Sequence, residues 1–421
     1  LPGQKENYEV NNQNSRISNR KSYAACTERG STQSAIWLNC FQYRGQPSIG
    51  LLRVQIIFKS RLCSVIIDPA MISLSGVFML KFYSLVSLLW LSISALAHSS
   101  SAVGFKEIDL DKGELRPLSV AIWYPVKNQT KTINIGDNQT FYGINVVQNG
   151  VPGSDEYPLV VLSHGYGGSW RNLSWLANEL TGQGYIVAAP DHPGTSVFNK
   201  DMEQATKLWE RPHDLSRVID AITTDSKLGG KVDMERIAAI GHSLGGWTVI
   251  ALSGGRFDTG LFKKDCQKYS TLWACNPVLV LGLEKPELER NMEDSRIKAF
   301  ISLDAGLIRG FSSESLAKIH IPSLIIGAGT DVGDMPVELE SGYLNKYLSK
   351  TYSTYVEIPD AMHFSFMQVC KSGAIGLLEG ENKDDGIICK DGGSRNRNEI
   401  HREIAFLVTG FLAKKIPNVS H

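Results

Sequence analysis

The chain has 421 residues, 43% of them hydrophobic and 20% charged, a balance ordinary for a folded globular protein and long enough for one large domain with appendages or two modest ones. Lys and Arg together number 43, as do Asp and Glu, so the formal net charge is zero. There is no concentrated basic excess of the kind that marks a nucleic-acid partner, and a neutral or amphiphilic substrate suits the chain better than a highly charged one.

From the start of the chain, residues 1–78 read as a leader outside the folded domain. Leu1–Ala70 keeps neither the helix nor the strand period, and Gln4–Ser34 is polar and rich in Asn, Ser and Arg. From Met79 the parts of a secretory signal peptide follow one another. Lys81 supplies the positive n-region, Phe82–Ile93 the apolar h-region, and Ala95-Leu96-Ala97 a small-x-small cleavage site before His98. The apolar run is short of the roughly 20 residues that span a bilayer, so cleavage of 79–97 is expected and no integral membrane span remains in the mature chain. A signal peptide belongs at the start of its protein. Leu1–Val77 is therefore expected to lie outside the native product, with Met71 or Met79 as the start and residues 98–421 as a secreted or periplasmic domain.

Strand and helix signals then alternate. Leu118–Tyr124 alternates apolar residues and stops at Pro125. Leu159–Ser163 is a buried-strand run, Trp170–Leu180 has helical spacing, and Tyr185–Ala189 is the next apolar strand. A helix is expected at Leu215–Thr224, a strand at Ile237–Ile240 and a helix at Leu244–Leu252. Strands follow at Lys298–Leu303, Ser323–Ile326 and Thr354–Ile358, and a terminal helix at Ile400–Lys414. Apolar runs alternating with amphipathic helices predict an α/β fold with a mostly parallel sheet covered on both faces. Two long stretches, 254–296 and 368–398, break the rhythm and are read as cap or rim insertions.

Four of the seven cysteines, Cys266, Cys275, Cys370 and Cys389, fall in those insertions. The sequence-local pairing, Cys266–Cys275 and Cys370–Cys389, is expected in an oxidising compartment. A zinc site lacks its C-x₂-C or nearby-His spacing, so neither metal nor organic cofactor is called for. N-x-S/T sequons stand at Asn128, Asn138, Asn172 and Asn418.

Three motifs carry chemistry. Gly241-His242-Ser243-Leu244-Gly245-Gly246 follows an apolar strand and opens a helix, the context of a G-x-S-x-G nucleophile elbow with Ser243 as nucleophile. Ser163-His164-Gly165-Tyr166-Gly167-Gly168 follows an earlier strand; with the amide next to the nucleophile it predicts an oxyanion hole built from the N–H groups of Tyr166 and Leu244. His363, in Asp360-Ala361-Met362-His363-Phe364 before the final helix, is the expected general base. His164, His192, His213, His320 and His401 have weaker cases, as do Asp334 and Asp360 for the acid. The acid is either Asp304, ending one strand, or Asp331, following the next; both lie between nucleophile and base in chain order. Apolar residues near the motifs, Tyr166, Trp170, Trp247, Phe364 and Phe366, are the candidates for a substrate pocket, with Trp247 and Phe364 foremost.

Together with Leu303-Asp304-Ala305 and Met362-His363-Phe364, these motifs resemble the platelet-activating-factor acetylhydrolase and dienelactone-hydrolase-like branch of the α/β-hydrolases, from about Val103 to Lys415. The resemblance implies the α/β-hydrolase fold. It leaves both acids in play: the plasma acetylhydrolases place theirs in a Leu-Asp-Ala motif matching Asp304, and most other α/β-hydrolases at a position matching Asp331. It also implies short or oxidised acyl chains on phospholipids, whereas dienelactone hydrolases proper use a cysteine where this chain has Ser243. The expectation is a secreted serine carboxylic-ester hydrolase acting through an acyl-enzyme on a small or lipid ester. The alternatives are an amide or polyester hydrolase with the same triad, or a non-catalytic binding protein on this fold.

Overall fold

The computed structural model describes residues 52–58, 61–67, 102–126, 131–276 and 280–418. It comprises two units, Leu1–His98 and Ser99–His421. The expected signal peptide, 79–97, and the sequon at Asn128 lie outside the described residues. In the first unit, β1 (Leu52–Phe58) and β2 (Arg61–Ile67) form an antiparallel hairpin with Leu52 opposite Ile67 and Phe58 opposite Arg61, in a stretch whose sequence shows no stable period.

The second unit is built on a ten-stranded sheet. Its strands are β3 (Ala102–Leu110), β4 (Leu118–Val126), β5 (Ile133–Ile135), β6 (Ile144–Gln148) and β7 (Glu156–Ser163). They continue with β8 (Ile186–Asp191), β9 (Lys231–His242), β10 (Ile297–Leu303), β11 (Ser323–Ala328) and β12 (Ser353–Ile358). The spatial order is β12-β11-β10-β9-β7-β8-β4-β3-β6-β5. The strands from β12 to β8 run parallel, while β4 is antiparallel to both of its neighbours.

Successive residues of the parallel strands feed opposite faces. Leu159, Val161, Ile237 and Ala239 enter one core, with Leu215 and Ile219 of α2 (Glu210–Thr224) and the apolar residues of α3 (Leu244–Leu252). Val160, Leu162, Ala238 and Ile240 enter the other, with Leu176 and Leu180 of α1 (Ser174–Gly182) and Ile404 and Leu412 of α6 (Arg397–Lys415). Burial on both faces is why these strands are unbroken apolar runs.

Several boundaries differ from the sequence expectation for identifiable reasons. The helix expected from Trp170 begins as a 3₁₀ turn, Trp170–Leu173, closed by a Ser169/Asn172 capping box, before α1 starts. Asn172, one of the sequons, is buried and accepts the Ser169 amide at 2.9 Å. Strand β4 runs through Pro125 because its carbonyl still accepts the Gly153 amide at 2.9 Å, and Pro125 lies opposite Val103. The insertion 254–296 holds α4 (Thr259–Lys268) and the disulfide Cys266–Cys275; the insertion 368–398 holds α5 (Ala374–Glu381) and Cys370–Cys389. Among the described residues no helix is long and apolar enough to cross a membrane.

Candidate active site

Ser243 sits between β9 and α3 with φ 57° and ψ −122°, a strained conformation for a residue with a side chain. Two glycines make the turn possible. A Cβ on Gly241 would lie 1.9 Å from the Gly245 carbonyl oxygen, and a Cβ on Gly245 would lie 1.9 Å from that of Ser163. The turn is anchored by the Ser243 amide, which donates to the Leu303 carbonyl at 3.0 Å. Every residue of α3 is buried, and its positive N-terminal end lies at Ser243.

Ser243, His363 and Asp304 form one chain of hydrogen bonds. The Ser243 hydroxyl donates to His363 Nε2 at 2.9 Å, and His363 Nδ1 donates to Asp304 Oδ2 at 2.6 Å. All three are buried. Asp304 follows β10, the strand next to β9, with φ 42°; its other oxygen accepts the Ala328 amide at 2.9 Å. His363 lies in a 3₁₀ turn after β12. His242 Nε2 donates to its carbonyl at 2.8 Å, and burial, reinforced by repulsion from His363, pushes the His242 imidazole down to about 3, so it stays a neutral donor.

The sequence left Asp304 and Asp331 open; the hydrogen-bond chain includes Asp304 and leaves Asp331 out. One Asp331 carboxylate oxygen instead accepts the amides of Gly333 and Met335, both at 3.0 Å, closing its own loop. Asp334 lines the cleft, its carboxyl raised by burial and by repulsion from Asp331 against the opposing pull of His363.

Tyr166 belongs to a loop beside Ser243, and Leu244 follows Ser243 in the chain. A Cβ on Gly165 would meet the Ser243 Cβ at 3.0 Å, so the Ser163–Gly168 loop packs directly on the turn at Ser243. Its far side is held by Gly167, φ 66°, whose amide donates to the Thr195 carbonyl at 2.9 Å. The Tyr166 amide lies within this loop, and that of Leu244 opens α3.

A cleft of about 1180 Å³ opens over Ser243 and His363. Tyr166, Phe141, Phe198, Trp273 and Phe364 give it aromatic walls, and Leu378, Ile387 and Ile388 border it from the insertion 368–398. Phe364 thus lines the cleft. Trp247 does not: it is fully buried against Phe257 and Phe311, with ring centroids 5.9 and 5.8 Å away. It lies on a helix that has no solvent face, which the motif spacing could not reveal. Trp170 and Phe366 are likewise core residues, as is His401, stacked on Trp175 at 3.7 Å. His164, within the glycine-rich loop, and His192 beside it are buried, while His213 pairs with Glu210 at 3.6 Å and His320 contacts Tyr352. Sequence reasoning missed Arg211 and Asp214, which lie beside them. Both sit in a polar first turn, Glu210-Arg211-Pro212-His213-Asp214, that reads as a solvent face.

The fold is that of the α/β-hydrolases. The model of the "Alpha/beta hydrolase family" matches residues 160–369, which belong to that superfamily. The chain is 26% identical over 215 residues to "Cutinase est1" of Thermobifida alba, covering 50% of this chain and 55% of that one. It is 22% identical over 209 residues to "Bis(hydroxyethyl) terephthalate hydrolase" of Streptomyces coelicolor, covering 50% and 51%. The match thus spans about half the length of these curated relatives. A solved structure, the ferulic acid esterase from Streptomyces cinnamoneus, shares the fold with a TM-score of 0.53 at 19% identity, covering 76% of this chain and 91% of that one.

Proposed function

We propose that the chain is an exported serine hydrolase of carboxylic esters working through an acyl-enzyme. The observation that carries this reading is the Ser243–His363–Asp304 chain, with contacts of 2.9 and 2.6 Å at the floor of an open cleft. In the proposed reaction the Ser243 Oγ attacks the ester carbonyl carbon while His363 Nε2 takes its proton, and Asp304 stabilises the imidazolium. The carbonyl oxygen becomes an oxyanion, received by the amides of Leu244 and Tyr166. Its collapse expels the alcohol, protonated by His363. A water, deprotonated in turn by His363, then releases the acid and restores Ser243.

The resemblance read in the sequence favours short-acyl or phospholipid-like esters. A second reading, aromatic esters and polyesters, is favoured by the aromatic cleft walls and by the names of the relatives. Export rests on the sequence of 79–97 and on the two disulfides, which suit an oxidising compartment.

Fluorophosphonate labelling tests the reading directly: folded protein should be modified at Ser243, and an inert Ser243 would sink every hydrolase version of it. A substrate panel then divides the two classes. Higher kcat/KM on an acetylated phospholipid supports the first, and higher kcat/KM on bis(hydroxyethyl) terephthalate the second. N-terminal sequencing of exported protein should begin at His98; a start before Met71 would overturn the leader assignment.

A further inference from the structure

A second Ser–His–Asp chain lies beneath the glycine-rich loop. Ser163 Oγ is 3.0 Å from His192 Nε2, and His192 Nδ1 is 2.9 Å from Asp214 Oδ2. All three residues are fully buried. A catalytic role would require His192 to become cationic. Burial, then the nearby Arg211 and Arg116 cations, hold its imidazole well below the ordinary range. His192 is therefore a neutral tautomer, donating from Nδ1 to Asp214 and accepting the Ser163 hydroxyl proton at Nε2. That leaves the Ser163 oxygen free to accept from Arg211 Nη2 at 3.1 Å.

Arg211 is almost completely buried and grips three separate segments. Nη2 also donates to the His164 carbonyl. Nη1 donates to Thr195 Oγ1 at 2.5 Å, and the Thr195 carbonyl holds the Gly167 amide. Nε donates to Thr248 Oγ1 at 2.9 Å, and that hydroxyl donates to the Leu244 carbonyl at 3.0 Å. Asp214, itself clamped by Arg116 at 2.8 and 2.6 Å, compensates the buried charge from nearby. One planar cation thus ties the loop that carries the Tyr166 amide to the helix turn that carries the Leu244 amide.

We propose that Arg211 is a positioning residue that fixes these two amides relative to each other and to Ser243, with Ser163, His192 and Asp214 setting its orientation. The inference rests on the hydrolase reading above. Preorganised donors aimed at the oxyanion act on the transition state more than on bound substrate, so losing their alignment should lower kcat while leaving KM little changed.

The test compares wild type, Arg211→Met and Arg211→Lys on a soluble ester and on a trifluoromethyl ketone, which adds to Ser243 as a tetrahedral oxyanion. Arg211→Met should lose about 100-fold in kcat with KM within about threefold, and should lose a comparable factor in ketone affinity. The pH at which kcat/KM rises should not move, because His363 and Asp304 are untouched. Arg211→Lys, which lacks the planar fork, should recover only part of the loss. Should Arg211→Met fail to fold, Thr195→Val and Thr248→Val each sever one arm; each should lower kcat, and the double variant should lose less than the product of the two. Folded variants that keep kcat within threefold, or that lose kcat without losing ketone affinity, overturn the proposal. A wild type inert to fluorophosphonate removes the hydrolase reading and this inference together, whereas a labelled wild type isolates the inference for its own test.

Discussion

Asp304 uses its two carboxylate oxygens on different tasks, one on His363 and one on the Ala328 amide, so its carboxylate is held in place before His363 ever becomes charged. Asp304→Asn should lower kcat by about three to four orders of magnitude, because the amide favours the wrong imidazole tautomer and leaves the imidazolium uncompensated. Asp331→Asn should stay within a few-fold, since its side-chain oxygen can still accept the Gly333 and Met335 amides. Steady-state rates on one ester decide between them, and equal mild losses would contradict the arrangement. Trp247 belongs to the same scale. Trp247→Ala should destabilise by about 3–5 kcal/mol in denaturant unfolding while leaving KM of the folded fraction unchanged. Ser243 and His363 stand out in the sequence because each sits in a motif with a recognisable strand–turn context, and the structure brings their side chains within 2.9 Å. Asp304 and Asp331 stayed open in the sequence because each follows one of two adjacent strands, and only the packed position of His363, 2.6 Å from Asp304, separates them.

At the scale of elements, the parallel strands were readable because burial on both faces leaves no polar residue to interrupt them. β3 escaped notice, its alternation diluted by Lys106, Glu107 and Asp109. The elements 133–135 and 144–148 are too short to carry a period. The insertions were legible as interruptions and read as cap or rim elements, but which of their residues reach the cleft depends on where the chain returns. The Cys370–Cys389 bridge, with a sequence separation of 19, closes the segment that supplies Leu378, Ile387 and Ile388 to the cleft. Replacing both cysteines by serine should remove about 3 kcal/mol of chain-entropy stabilisation. On a bulky ester the same change should raise KM several-fold with kcat little altered. A loss confined to kcat would show that the segment acts on the triad and not on substrate.

For the molecule as a whole, buried charge couples folding to pH. The Asp191 carboxyl ends β8 and is raised to about 6, chiefly by burial, against the Trp170 amide and Arg171. The folded state therefore holds this proton more tightly than the unfolded chain does. Its stabilising contribution is complete below about pH 4, the ordinary aspartate value, and is lost as pH rises through about 6. Asp191→Asn should flatten that part of the stability curve, so wild type minus variant should fall by on the order of 2–3 kcal/mol between pH 4 and pH 7 in urea unfolding. A difference that rises across this range would reverse the assignment.

The position of β9 in the strand order has one more consequence. With β7 on one side and β10 on the other, residues 237–242 of the strand leading to Ser243 are flanked along both edges and covered on both faces. Their amides are expected to exchange only when the sheet itself comes apart, whereas α5, outside that ladder and with Ala374 its one buried residue, is expected to open at lower cost. Native-state hydrogen exchange should find 237–242 protected to the level of global unfolding and 374–389 exchanging earlier. Such a pattern would separate the opening of the cleft wall from that of the turn at Ser243.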